Sequence, residues 1–107
     1  MSLDISLSVV KRTYVFDINI THNLGQMAEV AGIYKHLWRP EELGIRRAGE
    51  LVEPLKAGLA LLKSDPERFK AYDAKNGWGI YDDFISWLED YIVACEKYSD
   101  AEIEISK

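Results

Sequence analysis

Two short segments concentrate the residues that could do chemistry: Ile20-Thr21-His22-Asn23-Leu24-Gly25 and Asn76-Gly77-Trp78-Gly79-Ile80-Tyr81. Each brings polar, aromatic and glycine residues together where a helical pattern is about to begin. A helix start presents free backbone N–H groups and the positive end of the helix dipole, so it suits an anion or another polar ligand. In the first segment Thr21, His22, Asn23 and Gly25 are the candidate ligand-binding residues. Thr21 or Asn23 can equally serve as a plain N-cap, and Asn23 has Gln26 three residues on, a capping-box-like pair. Capping leaves Gly25 unexplained, because glycine in a first turn costs stability unless something approaches closely. In the second segment the candidates are Asn76, Trp78 and Tyr81. Asn-Gly supplies the positive φ of a tight turn. Trp78 then either plugs the core or joins Tyr81 in an aromatic wall on which a planar ligand stacks.

A third group, Trp38-Arg39-Pro40, closes the helix that the first segment opens. Arg39 there either complements the helix dipole or reads a phosphate or carboxylate bidentately. Trp38 and Arg39 are the candidate interface residues, with Trp38 as a protein-interaction anchor. As one straight helix, Thr21 to Arg39 spans about 25 Å, so a single small ligand should not reach both ends.

Catalytic and metal chemistry find little support. There is no glycine-rich phosphate loop, no dinucleotide fingerprint and no Gly-x-Ser-x-Gly elbow. His22 and His36 are the only histidines and Cys95 the only cysteine, so no zinc spacing exists. Thr21 and His22 with Asp17 would make a small hydrolase only if all three converge. No catalytic set, metal or cofactor is therefore expected. Cys95 falls on an apolar helix face and reads as a packed core thiol.

The elements that must position these segments follow from periodicity. Leu3, Ile5, Leu7 and Val9 alternate with polar residues, as do Tyr14, Phe16, Ile18 and Ile20. Both are strands, with Lys11-Arg12-Thr13 as the turn between them. Ile103 and Ile105 mark a third strand whose best partner is the first. Leu24, Met27, Ala28, Ala31, Tyr34 and Leu37 recur at helical spacing up to Pro40. Pro40 to Gly44 reads as one short helical turn. Leu51, Leu55, Leu59 and Leu62 define the next helix, with a kink or late start at Pro54, and Gly49 and Gly58 weaken it. Asp65-Pro66 opens another turn. Tyr81, Phe84, Ile85, Leu88, Tyr91, Ile92 and Cys95 define the last helix, whose first turn carries Asp82 and Asp83. The expected architecture is a single α+β domain over residues 1–107, a small antiparallel sheet of the two N-terminal strands and the C-terminal strand packed against three main helices.

Composition narrows the partners. A net charge of −5 over 107 residues argues against nucleic acid and anionic membranes as partners. No apolar run approaches the roughly 18 residues of a membrane span. Asp4 interrupts the N-terminus too early for a signal peptide. One cysteine permits no internal disulfide and fits a reducing cytoplasm.

The segments Asn19-Ile20-Thr21-His22-Asn23-Leu24-Gly25, Leu37-Trp38-Arg39-Pro40 and Asn76-Gly77-Trp78-Gly79 resemble a family of small bacterial and phage proteins. No activity or ligand is attached to that family, so the resemblance implies only a phage or mobile-element context. The residues themselves favour a non-enzymatic module that binds a small polar or nucleotide-like ligand. The alternative is a protein-interaction module, either a homo-oligomer or a host-protein binder.

Overall fold

The computed structural model describes residues 2–9 and 13–107. The expected turn at Lys11 and Arg12 lies outside the described residues. β1 (Ser2–Val9) is the centre of a three-stranded antiparallel sheet, ordered β2-β1-β3, with β2 (Thr13–Thr21) on one side and β3 (Glu102–Ser106) on the other. The register explains the alternation. Leu3, Ile5 and Leu7 face Ile20, Ile18 and Phe16 of β2, and Ile5 and Leu7 face Ile105 and Ile103 of β3. All these side chains share the face that the helices cover, and Leu3, Ile5 and Leu7 are wholly buried. Asp4 and Ser6, paired with Asn19 and Asp17, lie on the opposite face. The sheet register shifts between Leu7 and Ser8, a bulge near the end of β1.

The single first helix read from the spacing is two helices. α1 (Gly25–Val30) and α2 (Tyr34–Trp38) are separated at Gly32, whose φ is +81°. Gly32 N–H donates to the Glu29 carbonyl and Ile33 N–H to the Ala28 carbonyl, the paired bonds of a Schellman stop. Ala28 and Ile33 are both buried, so the stop carries its usual apolar contact. The 3.6-residue period continued across the break, which is why pattern alone did not reveal it.

A 3₁₀ turn at Pro40–Leu43 and another at Ala48–Leu51 lead to α3 (Val52–Ser64), which places Pro54 in its first turn, where a missing N–H is harmless. α4 (Pro66–Lys70) is one turn capped by Asp65, and α5 (Tyr81–Lys97) is the long helix, packed against α3 and β2. Phe84, Leu88, Tyr91 and Cys95 of α5 are fully buried. Such burial stabilises by about 1.5–3 kcal/mol for each large apolar side chain. Ion pairs Lys56–Glu96 and Lys63–Glu89 join α3 to α5, but all four groups are about half exposed and add little.

Gly58 has a packing role rather than the merely weakening one its composition implies. A Cβ there would press into Ile33 Cγ2 and lie 3.2 Å from its Cδ1, and Ile33 is 2% exposed. Helix propensity favours alanine by about 1 kcal/mol, whereas overpacking costs about 1–3. Gly58→Ala should therefore lower stability by about 1–2 kcal/mol in urea unfolding. In an Ile33→Ala background the same change should become neutral or stabilising. A stabilised Gly58→Ala single variant would show that α3 does not press on Ile33.

Candidate functional site

The two segments singled out by their chemistry meet. Asn23 Nδ2 donates to the Trp78 carbonyl at 2.7 Å, across a sequence gap of 55 residues. Gly79 sits against the same place. A Cβ on it would fall 3.0 Å from Asn23 Cβ and 3.1 Å from Thr21 Cγ2. Local sequence explains the arrangement. Thr21 caps the 3₁₀ turn His22–Leu24 by accepting from Asn23 N–H at 3.2 Å, which frees the Asn23 amide to reach across. The capping box expected between Asn23 and Gln26 is thus replaced by a bond between the two segments. Gly25 admits a neighbour, as its type implied, but the neighbour is internal: a Cβ there would lie 3.4 Å from Tyr34 Cε1.

The loop at 74–79 is closely tied. Asn76 Oδ1 accepts from Trp78 N–H at 3.0 Å, Gly77 N–H donates to the Ala74 carbonyl, and Ala74 N–H donates to the Gly79 carbonyl. Yet the side chain held by this scaffold is not a plug. Trp78 is 71% exposed. Nor does Tyr81 stand beside it as a wall. Tyr81 is buried, and its hydroxyl donates to the Leu62 carbonyl at 2.8 Å. The second indole at the site is Trp87, two turns into α5, whose Nε1 donates to the Asn19 carbonyl at 2.8 Å.

Between these groups lies a cleft of about 560 Å³. Its walls are Asn19, Ile20 and Thr21 at the end of β2, Trp78 flanked by Gly77 and Gly79, and Asp83 and Trp87 of α5. Ser2 and Leu24 complete the lining. That volume falls within the usual range for small-ligand sites. Of the sequence-based candidates, Thr21 and Trp78 line the cleft. Asn23 and Asn76 hold its frame, and His22, Gly25 and Tyr81 do not line it. Ser2, Asn19, Asp83 and Trp87 were not among the candidates. Trp87 was legible in principle, since it lies four residues after Asp83 and three after Phe84 on the buried helix face.

Three amides that an anion could use are committed. Trp78 N–H is bound by Asn76, Asn23 N–H by Thr21, and Tyr81 N–H by the Asp73 carboxylate at 2.7 Å. The start of α5 also carries Asp82 and Asp83. Three committed amides and the two carboxylates at the start of α5 weigh against an anion at these helix starts.

His22 serves the fold. Trp38 Nε1 donates to His22 Nδ1 at 2.8 Å, so the His22 proton belongs on Nε2. This contact also overturns the 25 Å separation expected from one straight helix, because the break at Gly32 brings the end of α2 back to the start of α1. Trp38 is 2% exposed and stacks on Tyr34, with ring centroids 5.1 Å apart, so it offers no anchor to a partner. Arg39 is exposed and bonds to Glu42 at 3.2 Å. Its guanidinium is held above its ordinary pKa by hydrogen bonds, first to Tyr34 and then to Glu42. Asp17 accepts from Ser6 Oγ at 2.6 Å, four residues along β2 from Thr21. That offset is about 13 Å, so Thr21, His22 and Asp17 form no hydrolytic triad. Among the described residues no His, Cys, Asp and Glu cluster has metal-binding geometry, and no helix is long and apolar enough to cross a membrane.

The chain matches no family model, and no curated protein or solved structure is significantly similar to it.

Proposed function

We propose that the protein is a non-enzymatic module that binds a small polar ligand in the cleft between Trp78 and Trp87. The observation that carries this is the exposure of Trp78. A tryptophan presented 71% to solvent forgoes most of its burial energy, yet the loop beneath it is fastened at four backbone and side-chain bonds. A platform both exposed and preorganised suits stacking of a ligand, because ordering costs are already met in the free protein. Asp83, Thr21 and Ser2 supply polar groups at the rim. The buried, single cysteine is in keeping with a cytoplasmic location, and the family resemblance with a phage context.

Thermal-shift and tryptophan-fluorescence screening of amines, nucleosides, nucleotides, sugars and amino acids tests the proposal. At least one class should raise the melting temperature of the native protein and leave Trp78→Leu unmoved. Trp78→Leu should itself fold normally, since the residue is on the surface. If no class binds, or if binding survives Trp78→Leu unchanged, the cleft is not a ligand site.

A further inference from the structure

We infer that the cleft selects a small organic cation of the alkylated-ammonium kind. The inference rests on the proposed ligand site and names the chemistry of its occupant. Three observations lead to it. The first is charge. Among the described residues Asp83 is the only one in the lining with a charged side chain, with no lysine, arginine or histidine to balance it. The second is the pair of indoles. Tryptophan offers the best aromatic face for a cation, and here two line one cleft. The third is the state of the hydrogen-bonding groups. The Asn19 carbonyl is taken by Trp87, the Trp78 carbonyl by Asn23 and the Gly79 carbonyl by Ala74 N–H. A bare ammonium or guanidinium would have to draw its acceptors from the rim, at Asp83, Thr21 and Ser2, and not from these backbone carbonyls. An alkylated ammonium has few or no N–H groups to satisfy. It needs an aromatic face, an apolar floor such as Ile20 and Leu24, and one carboxylate at contact range.

Fluorescence titration with tetramethylammonium and with choline tests this directly. Their controls are the neutral carbon isostere of choline, with a tert-butyl group in place of the trimethylammonium, and inorganic phosphate. Both cations should quench emission saturably, and the isostere should bind at least about fivefold more weakly. Trp78→Leu and Asp83→Asn should each weaken choline by about five- to thirtyfold. Asp82→Asn, which removes a like charge from the same helix turn but lies outside the lining, should leave it unchanged. Raised salt should reduce the Asp83 contribution. If choline and its isostere bind equally, or only the anion binds, the cation assignment is overturned while the ligand site stands. If nothing in this set or in the wider screen binds, both fall together.

Discussion

Raising the pH from 8 towards 12 should unfold the protein through two neighbouring groups in the core of α5. Cys95 is fully buried, and burial pushes its thiol up to about 12 from an ordinary 9.0, with the adjacent Tyr91 hydroxyl opposing only in part. Burial likewise holds the Tyr91 hydroxyl well above its ordinary 10.0. That hydroxyl has no hydrogen-bond partner of good geometry. The sign follows from linkage. Both groups stay protonated in the folded state at a pH where the unfolded chain has released their protons. The unfolded state then binds fewer protons, so stability declines as pH rises. Their contribution is complete below the ordinary values and is lost from about pH 9 upwards for Cys95, then from about pH 10 for Tyr91 as well. One such group gives a slope of about 1.4 kcal/mol per pH unit, so Cys95 alone could remove about 4 kcal/mol by pH 12. Urea unfolding at pH 7, 9, 10 and 11 should trace this decline. Cys95→Ala should flatten it between pH 9 and 10, at the cost of a small cavity that shifts the whole curve. Tyr91→Phe should stabilise by about 1 kcal/mol at neutral pH, since it removes an unpartnered buried hydroxyl. Parallel profiles for the native protein and Cys95→Ala would show that the thiol is not desolvated. A native thiol that reacts readily with an exposed-thiol reagent would show the same.

The strands and their pairing were legible because a two-residue period has one buried solution. Leu3, Ile5 and Leu7 could face only one way, and Ile103 and Ile105 needed a partner with an open edge. α5 was legible for the corresponding reason at its own period. The break at Gly32 was not, because Ala31 and Tyr34 keep the helical spacing on either side of the stop. That single left-handed residue then controlled the rest of the site. It returned Trp38, the candidate interface anchor, to His22, a candidate ligand residue, and tied the two to each other. The fates of Trp78 and Tyr81 were likewise beyond periodicity. They stand three residues apart at a helix start, but Tyr81 is fixed inward by Leu62 and Trp78 is held outward by a loop whose partner, Asn23, is 55 positions away. Long-range polar contacts of this kind leave no pattern in a local window. The site was therefore readable as two segments and not as one cleft.

Gly79→Ala should destabilise the protein more than any other alanine substitution in the 74–79 loop, by about 2–4 kcal/mol. Two costs combine. Gly79 has φ +116°, where a side chain strains the backbone by about 1–3 kcal/mol. Its Cβ would also meet Asn23, Thr21 and Leu24 at 3.0–3.4 Å, and Leu24 is buried too well to yield. Gly77→Ala separates the two terms. Gly77 has φ +79° but nothing within 4 Å of an added Cβ, so it should show the strain alone. The difference between the two variants combines the contact between the β2 end and the loop with the greater strain of a side chain at φ +116°. Urea unfolding reads that difference. Fluorescence reads its consequence, because a loop pushed away from Asn23 no longer holds Trp78 over the cleft, and choline quenching should weaken in Gly79→Ala more than in Gly77→Ala. Equal costs for the two substitutions would mean that Gly79 does not join the two segments. A Gly79→Ala variant that lost stability yet kept full choline affinity would separate the fastening of the loop from the binding of the ligand, and would remove the reason for treating the two segments as one site.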